Sequence, residues 1–319
     1  MKALITGGAG FIGSHLADCL LARGHQVVLL DDLSTGRLDN IEHLGDNPDA
    51  EFVLGSILDA DLVDHEVSRA DVVYHLAAAV GVQLIVEKPL ESLITNIRGT
   101  ETVVEKAHKH RKRVVITSTS EIYGKNTSDS LSEDDDRILG SPLKSRWSYS
   151  EAKAVDEILA YTYWREKGLE AVIVRLFNTV GPRQTGSYGM VVPRFVEQAL
   201  ANEPITIYGD GTQTRCFCAV GDIVDGIVVL SETPDAIGRV FNLGGVEEVS
   251  IQGLAETVIA ITGSSSRIEF VSYDEAYEEG FEDMQRRVPD TTRARELVGF
   301  APTASLDDII RMVVEAQGA

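Results

Sequence analysis

Along the first 180 or so positions, short runs of apolar, mostly β-branched residues alternate with longer stretches whose apolar positions recur every three to four residues. Lys2 to Thr6, Gln26 to Leu30, Glu51 to Leu54, Asp71 to Leu76, Arg113 to Thr117 and Glu170 to Leu176 read as strands. Ser14 to Arg23, about Pro89 to His110 and about Tyr149 to Lys167 carry the helical period. Strands separated in this way by helices predict a parallel, doubly wound α/β sheet, because parallel neighbours need a crossover on the sheet face. The apolar stripes Leu93, Ile97, Val103, Val104 and Ile158, Leu159, Tyr163 read most simply as core, with packing against a second subunit as the other reading.

After Leu176 the texture changes. Phe177 to Arg183 is turn-rich, Gly186 to Gly189 reads as a flexible loop, Val191 to Ala201 as a helix, and Ile205 to Tyr208 as a strand. Val220 to Leu230 and Val240 to Leu243 look like a return to the sheet. From Ser250 the pattern is helix (Ile251 to Thr262), strand (Arg267 to Val271), a solvated acidic segment (Asp274 to Asp283) and terminal helices. The expected division is a dinucleotide-binding domain over 1–177, rejoined by 219–243, and a smaller α/β lobe over 178–218 and 244–319.

Composition narrows the partners. The 319 residues include 50 acidic and 29 basic side chains, a formal net charge of −21. That balance argues against nucleic acid or an anionic membrane, and an anionic substrate would need a basic pocket built against the overall field. Three cysteines, Cys19, Cys216 and Cys218, cannot form a disulfide framework, and no apolar run approaches the length of a membrane span, so a cytoplasmic protein is expected. The Cys216-x-Cys218 spacing invites a metal reading, but without a second ligand pair nearby buried strand cysteines are the simpler one, and no metal is expected.

Two stretches carry the chemistry. The first strand runs into Gly7-Gly8-Ala9-Gly10-Phe11-Ile12-Gly13 and then a helix closed by Gly24, and the second strand ends on Asp31-Asp32. Glycines there let the backbone approach a pyrophosphate at the helix N-terminus, while the acid accepts from an adenosine ribose, favouring NAD over its phosphorylated form. The second stretch runs from Thr117 to Lys153: Thr117-Ser118-Thr119-Ser120-Glu121 at a strand's carboxyl end, then Tyr149-Ser150-Glu151-Ala152-Lys153. A four-residue spacing on a helix sets phenol and ammonium on one face, where the positive charge is expected to lower the tyrosine pKa and prepare a base for a sugar hydroxyl.

With these motifs in order, the chain resembles the extended short-chain dehydrogenase/reductase family, in particular its nucleotide-sugar epimerases, dehydratases and decarboxylases, over essentially its whole length. The resemblance implies a Rossmann-type fold, a homodimer, and a tightly held NAD that takes a hydride from sugar carbon 4. It implies cofactor contacts from Gly7, Gly10, Phe11, Ile12, Gly13, Asp31, Asp32, Ser34, Thr35 and Gly36. Further contacts would come from Ser56, Ile57, Leu76, Ala77, Ala78, Asn96, Tyr149 and Lys153. At Ser56 many relatives carry an aspartate for the adenine amine, and serine would replace that bond only weakly. Thr119 and Tyr149 would flank the 4-hydroxyl, and Lys153 would hold the nicotinamide ribose.

The product is expected to depend on other residues. Arg146-Trp147-Ser148-Tyr149-Ser150 with Lys153, Thr214-Arg215-Cys216-Phe217, and Gly280 through Pro289 resemble segments of decarboxylases acting on UDP-glucuronic acid. On that resemblance Ser120 and Glu121 handle the sugar carboxylate or carbon 5, and Arg287 stands near the same group, with Arg286 able to exchange roles with it. Arg215 and Asn178 would meet the diphosphate, and Val192 and Tyr208 complete the substrate contacts. The plain alternatives are a structural Glu121 and surface ion pairs for the arginines. A free Glu121 carboxylate would repel a sugar acid, so either it is protonated or the sugar acid turns away. UDP-sugar 4-epimerase is the first alternative, then a 4,6-dehydratase, which usually wants an acid where Ser120 stands. A protein that binds NAD without turnover is the remote one.

Overall fold

A computed structural model describes residues 1–79, 88–144, 147–186, 190–272 and 284–318. Arg146, positions 187–189 of the expected loop and the whole acidic segment 274–283 lie outside the described residues. Strands β1 (Lys2–Thr6), β2 (Gln26–Asp31), β3 (Ala50–Leu54), β4 (Val72–His75), β5 (Arg113–Thr119), β6 (Ala171–Leu176) and, far along the chain, Val240–Leu243 form one sheet. Their order in space is β3-β2-β1-β4-β5-β6 followed by Val240–Leu243, and every neighbouring pair is parallel. Sequence order reverses between β1 and β4, the switch point outside which such sheets bind ligands.

Both faces of the sheet are covered, which is why its central strands read as continuous apolar runs. On one face lie α1 (Phe11–Ala22) and, later in the chain, Val220–Glu232, packed around Leu16, Leu20, Ile223 and Ile227. On the other lie α2 (Ala60–Arg69), α3 (Pro89–Lys109) and α4 (Ser148–Lys167), around Val63, Val67, Val103, Val104 and Ala160. Of the stripe expected on α4, Leu159 and Tyr163 pack on this core, whereas Ile158 is 63% exposed.

The second lobe begins with β7 (Thr179–Val180), α5 (Val191–Leu200), β8 (Ile205–Tyr208), β9 (Thr214–Cys216) and β10 (Cys218–Ala219). The chain then passes through α6 (Val220–Glu232) and β11 (Val240–Leu243) on the large sheet before β12 (Glu248–Ser250), α7 (Ile251–Thr262), β13 (Ile268–Val271) and β14 (Arg286–Arg287). Three small sheets result, β7 with β10, β8 with β13, and β12-β9-β14. The closing helices are α8 (Thr292–Val298) and α9 (Leu306–Gly318). Helix α9 joins the second lobe's core through Ile309, Ile310 and Val313, but Ala294 of α8 and Phe300 belong to the large sheet's core. Residues assigned from sequence to one lobe are therefore shared between two cores.

Candidate active site

The glycine turn is held by close backbone approach. Gly7 has φ +73°, and a Cβ there would lie 2.8 Å from the Ala77 nitrogen; a Cβ on Gly13 would lie 2.1 Å from the Gly7 carbonyl oxygen. Helix α1 starts after Gly10 with no side-chain cap and no acidic residue in its first turn, so its N-terminal field is uncompensated. At the end of β2, Asp31 accepts from the Ala9 N–H at 3.0 Å and the Leu33 N–H at 2.8 Å, tying the turn to the following loop. Its carboxylate keeps lone pairs beyond those two bonds, and burial raises its pKa.

A cleft of about 520 Å³ opens over these strand ends and is lined from both lobes. Gly7, Gly10, Phe11, Ile12, Gly13, Asp31, Asp32, Ser34, Thr35, Ile57, Leu76, Ala77 and Ala78 line it from the large sheet, as do Thr119, Ser120, Glu121, Tyr149 and Lys153. Asn178, Val192, Tyr208, Arg215 and Arg287 line it from the second lobe. These residues fit a dinucleotide: a cradle that any Cβ would fill, an uncapped helix N-terminus and an acceptor at the second strand's end.

Three expected contacts fall outside the lining. Gly36 packs on the carboxylate of Asp31, where a Cβ would come within 2.7 Å of Oδ1. The Ser56 hydroxyl accepts from the Leu58 N–H at 3.3 Å and serves its own turn. Asn96 is buried, accepting from the Ala79 N–H at 2.7 Å and donating to the Ala79 carbonyl at 3.2 Å. It shapes the loop after β4 rather than the cleft wall.

Strand β5 runs to Thr119, two residues beyond its expected end, because Ser118 and Thr119 continue the ladder with Arg175 and Leu176. Thr119 then caps a single 3₁₀ turn, Ser120–Tyr123, accepting from the Glu121 N–H at 3.2 Å. The Ser150 hydroxyl donates to the Glu121 carbonyl at 2.9 Å and fixes this turn to α4. Tyr149 and Lys153 follow one another along α4 on the cleft side. The ammonium of Lys153, however, lies 2.9 Å from Oδ2 of Asp156, with both side chains almost fully buried. The Tyr149 phenol stands well above the ordinary tyrosine value, raised by burial first and then by Glu121 and Asp156. This reverses the lowering expected from Lys153. Beside the pair, buried His75 is bound to Thr6 (2.7 Å) and Thr100 (2.9 Å) through their hydroxyls. Burial and Lys153 lower its pKa to about 3, so it is neutral.

Arg287 reaches the same turn from the other lobe. Strand β14 pairs with β9, setting Arg287 opposite Arg215 and Arg286 opposite Thr214. The Arg287 Nη1 lies 2.7 Å from Oε1 of Glu121 and 3.3 Å from Oγ of Ser120. Because side chains alternate along a strand, Arg286 turns the other way, onto Glu248 at 2.7 Å and 2.8 Å, and the expected exchange of roles is ruled out. Arg215 donates to the Thr214 carbonyl at 2.8 Å, and Asn178 to the Cys216 carbonyl at 2.9 Å. Cys216 and Cys218 are buried with thiols pushed up to about 12, and among the described residues no group of three or more His, Cys, Asp or Glu is placed to hold a metal.

Arg194, Gln213 and Asp156 were missed. Arg194 and Gln213 line the cleft, and the Arg194 guanidinium stacks 4.2 Å from the Tyr208 ring centroid. A lone cation inside the apolar run Val191 to Val196 was the signal for Arg194. Asp156, one helical turn after Lys153, was the signal for the buried pair.

The sequence pattern of the GDP-mannose 4,6 dehydratase family matches residues 4–313. The chain belongs to that family. This agrees with the resemblance to extended short-chain dehydrogenases. Within the family, it is 41% identical over 98% of its length to a UDP-N-acetyl-alpha-D-glucosaminuronate decarboxylase of Bacillus cytotoxicus, covering 97% of that protein. It is 37% identical over 96% of its length to UDP-glucuronic acid decarboxylase 1 of Xenopus tropicalis, covering 70% of that protein. Among solved structures, UDP-glucuronic acid 4-epimerase of Bacillus cereus, in complex with UDP-glucuronic acid and NAD, superposes with a TM-score of 0.89 at 33% identity, over 99% of this chain and 98% of that one.

Proposed function

We propose that this family member is an NAD-dependent decarboxylase of a UDP-linked uronic acid, working through transient oxidation at sugar carbon 4. The observation that carries this reading is the 2.7 Å pair between Arg287 and Glu121, set beside Ser120 in the cleft that holds Tyr149. A guanidinium delivered by the second lobe is the local positive charge that an anionic sugar needs in a chain of net charge −21. The decarboxylase relatives support the same chemistry.

The glycine turn, Asp31 and Lys153 would hold NAD, whose nicotinamide accepts a hydride when bound. Tyr149, oriented with Thr119, takes the proton of the 4-hydroxyl as the hydride leaves. The ketone so formed is β to the carboxylate on carbon 5. Breaking the bond between carbon 5 and the carboxylate sends its electron pair toward the 4-oxygen and releases carbon dioxide. The sugar acid and Glu121 compete for one guanidinium. As the sugar acid takes it, Glu121 gives up its 2.7 Å bond to Arg287, and a proton taken from water by its carboxyl group is then passed to carbon 5. The repulsion expected between the two carboxylates is thereby managed by Arg287.

The likeness to the UDP-glucuronic acid 4-epimerase structure favours one second reading, epimerisation at carbon 4, which uses the same Thr119, Tyr149 and Lys153. The test is incubation with NAD and either UDP-glucuronate or UDP-N-acetylglucosaminuronate, followed by carbon dioxide and product mass. Release of carbon dioxide with a product lighter by one carboxylate is expected. A product that keeps every carbon would replace the first reading with the second.

The working unit is proposed to be a homodimer formed through α3 and α4, where Leu90 (70%), Ile158 (63%) and Tyr161 (42%) are exposed. Three unpaired thiols support a cytoplasmic location.

A further inference from the structure

A strap of four residues, 182–185, crosses from the second lobe to α1 and takes no part in the scheme above. It runs between two close-packed glycines. A Cβ on Gly181 would lie 2.6 Å from Cγ1 of Val220 and 3.7 Å from the Phe11 ring, and one on Gly186 would lie 3.2 Å from Oε2 of Glu197 on α5. Between these fixed ends the strap is one chain thick. Arg183, Gln184 and Thr185 line the main cleft on one side and, on the other, a second cavity of about 400 Å³ whose far wall includes Asp39 and the end of α9 at Ala316 and Gln317.

Two bonds seat the strap on α1. The His15 Nε2 donates to the Pro182 carbonyl at 2.9 Å, and the Arg183 Nη2 meets Oδ2 of Asp18 at 2.8 Å. The other oxygen of Asp18 accepts from His43 at 2.7 Å, and Gln184 turns back onto the Thr179 carbonyl of its own lobe at 3.1 Å. Other features oppose the seated position. Arg183 has φ +66°, a left-handed backbone that a residue other than glycine adopts only at a cost. Its Nη1 and the Oε1 of Gln184 are buried without a hydrogen-bond partner among the described residues. A strained segment tied to α1 at two points and backed by a cavity has both a reason and the room to swing off the cleft.

We propose that this strap is the gate for the cofactor, held shut by His15 and Asp18, and that its closure keeps the reduced dinucleotide in place until the hydride has returned to the sugar. His15 lies one turn after Phe11, against its ring at 5.7 Å between centroids, and just behind the glycine turn. Opening the strap therefore uncovers the diphosphate cradle. On the sugar side a different pair, Glu121 with Arg287, joins the lobes, so cofactor and sugar exchange through separate parts of one cleft. With the strap shut, carbon 4 takes back the hydride, its oxygen takes back a proton from Tyr149, and no oxidant is consumed overall. With the strap open, NADH and the 4-ketone leave together and each turnover consumes one NAD. This consequence for the product rests on the decarboxylation reading; the gating of the dinucleotide does not.

The test is stopped-flow exchange of NADH, followed by the fluorescence of the bound cofactor, on the full chain and three variants. Asp18→Asn removes the ion pair, and His15→Phe keeps a ring against Phe11 while removing the donor. His43→Gln removes the other bond to Asp18 and leaves the strap seated. A gate limits entry and exit alike, so in each of the first two variants the association and release rates should both rise about fivefold, the worth of one hydrogen bond, with Kd unchanged. His43→Gln should exchange at the wild-type rate. Unchanged rates in both strap variants would overturn the proposal, as would faster release with unchanged association, which is what damage to the cradle gives. The Asp18 side chain is 33% exposed, so Asp18→Asn decides alone if His15→Phe does not fold. With a UDP-uronic acid as substrate, the two strap variants should accumulate more NADH and more keto product than the wild type. Faster exchange in both directions by a protein that turns over no nucleotide sugar would keep the gate and reject the decarboxylation reading.

Discussion

Glu121 and Arg287 are 166 positions apart in sequence and 2.7 Å apart in the cleft, each the other's counter-ion. Neutralising one of them separates binding from chemistry. Glu121→Gln keeps the shape and a hydrogen bond to the guanidinium but removes the proton that carbon 5 needs. It should lower kcat about 100-fold with little change in KM for the nucleotide sugar, as removal of a general acid does. Steady-state kinetics with a uronic acid substrate check this, and an unchanged kcat would take Glu121 out of the mechanism. The sequence identified both side chains, yet nothing local in it distinguished Arg287 from Arg286. That choice is made by the pleat of β14 and its register against β9.

At the scale of elements, the question is what brings β14 to the end of β5. Asn242, in the middle of β11, is fully buried; its amide donates to the Leu131 carbonyl at 2.8 Å and to the Asp290 carbonyl at 3.2 Å, three residues after Arg287. Its own oxygen accepts from the Tyr123 hydroxyl at 2.7 Å, at the end of the turn that carries Glu121. Tyr123 in turn is held by Arg175, which grips Glu157 of α4 at 2.9 Å and 2.8 Å. One buried network thus joins the helix bearing Tyr149, the turn bearing Glu121 and the strand bearing Arg287. Asn242→Ala would remove the acceptor of the Tyr123 hydroxyl and one donor each from the Leu131 and Asp290 carbonyls, costing about 1–3 kcal/mol of stability. It should also raise KM for the sugar acid more than KM for NAD; denaturant unfolding and paired kinetics read the two effects. Sequence reasoning identified β6 and β11 as strands but passed over Arg175 and Asn242, because a polar residue inside an apolar strand gives no sign of its distant partner.

For the whole molecule, two properties follow from burial. His75 is neutral in the folded state with a pKa of about 3, against about 6.5 when unfolded. Between those values the unfolded chain binds the extra proton, so stability falls as pH falls through about 6.5. Each pH unit below that should cost up to about 1.4 kcal/mol from this residue, and urea unfolding at pH 7 and pH 5 measures it. The second property is assembly. Ile158 lies on the outer face of α4 and is 63% exposed, and Ile158→Glu is expected to convert a dimer to monomers in sedimentation velocity while leaving the unfolding midpoint of the monomer near its original value. A wild type that sediments as a monomer would reject the proposed dimer.

The sequence by itself determined the doubly wound sheet, the glycine turn, Asp31 at its strand end, and the Thr119, Tyr149 and Lys153 set. All but Thr119, which the family resemblance added to the pair, rest on local periodicity and short spacing, which the backbone geometry of helix and strand converts directly into position. Only the tertiary structure decided which arginine meets Glu121, that Asn96 and Ser56 serve loops rather than the cleft, and that Lys153 is matched by Asp156. Those outcomes depend on strand register, on the crossing of the chain between two cores, and on burial. Burial sets the electrostatics: Lys153 alone predicted a more acidic Tyr149, and desolvation of the phenol, with the carboxylates of Glu121 and Asp156 adding to it, reversed the sign.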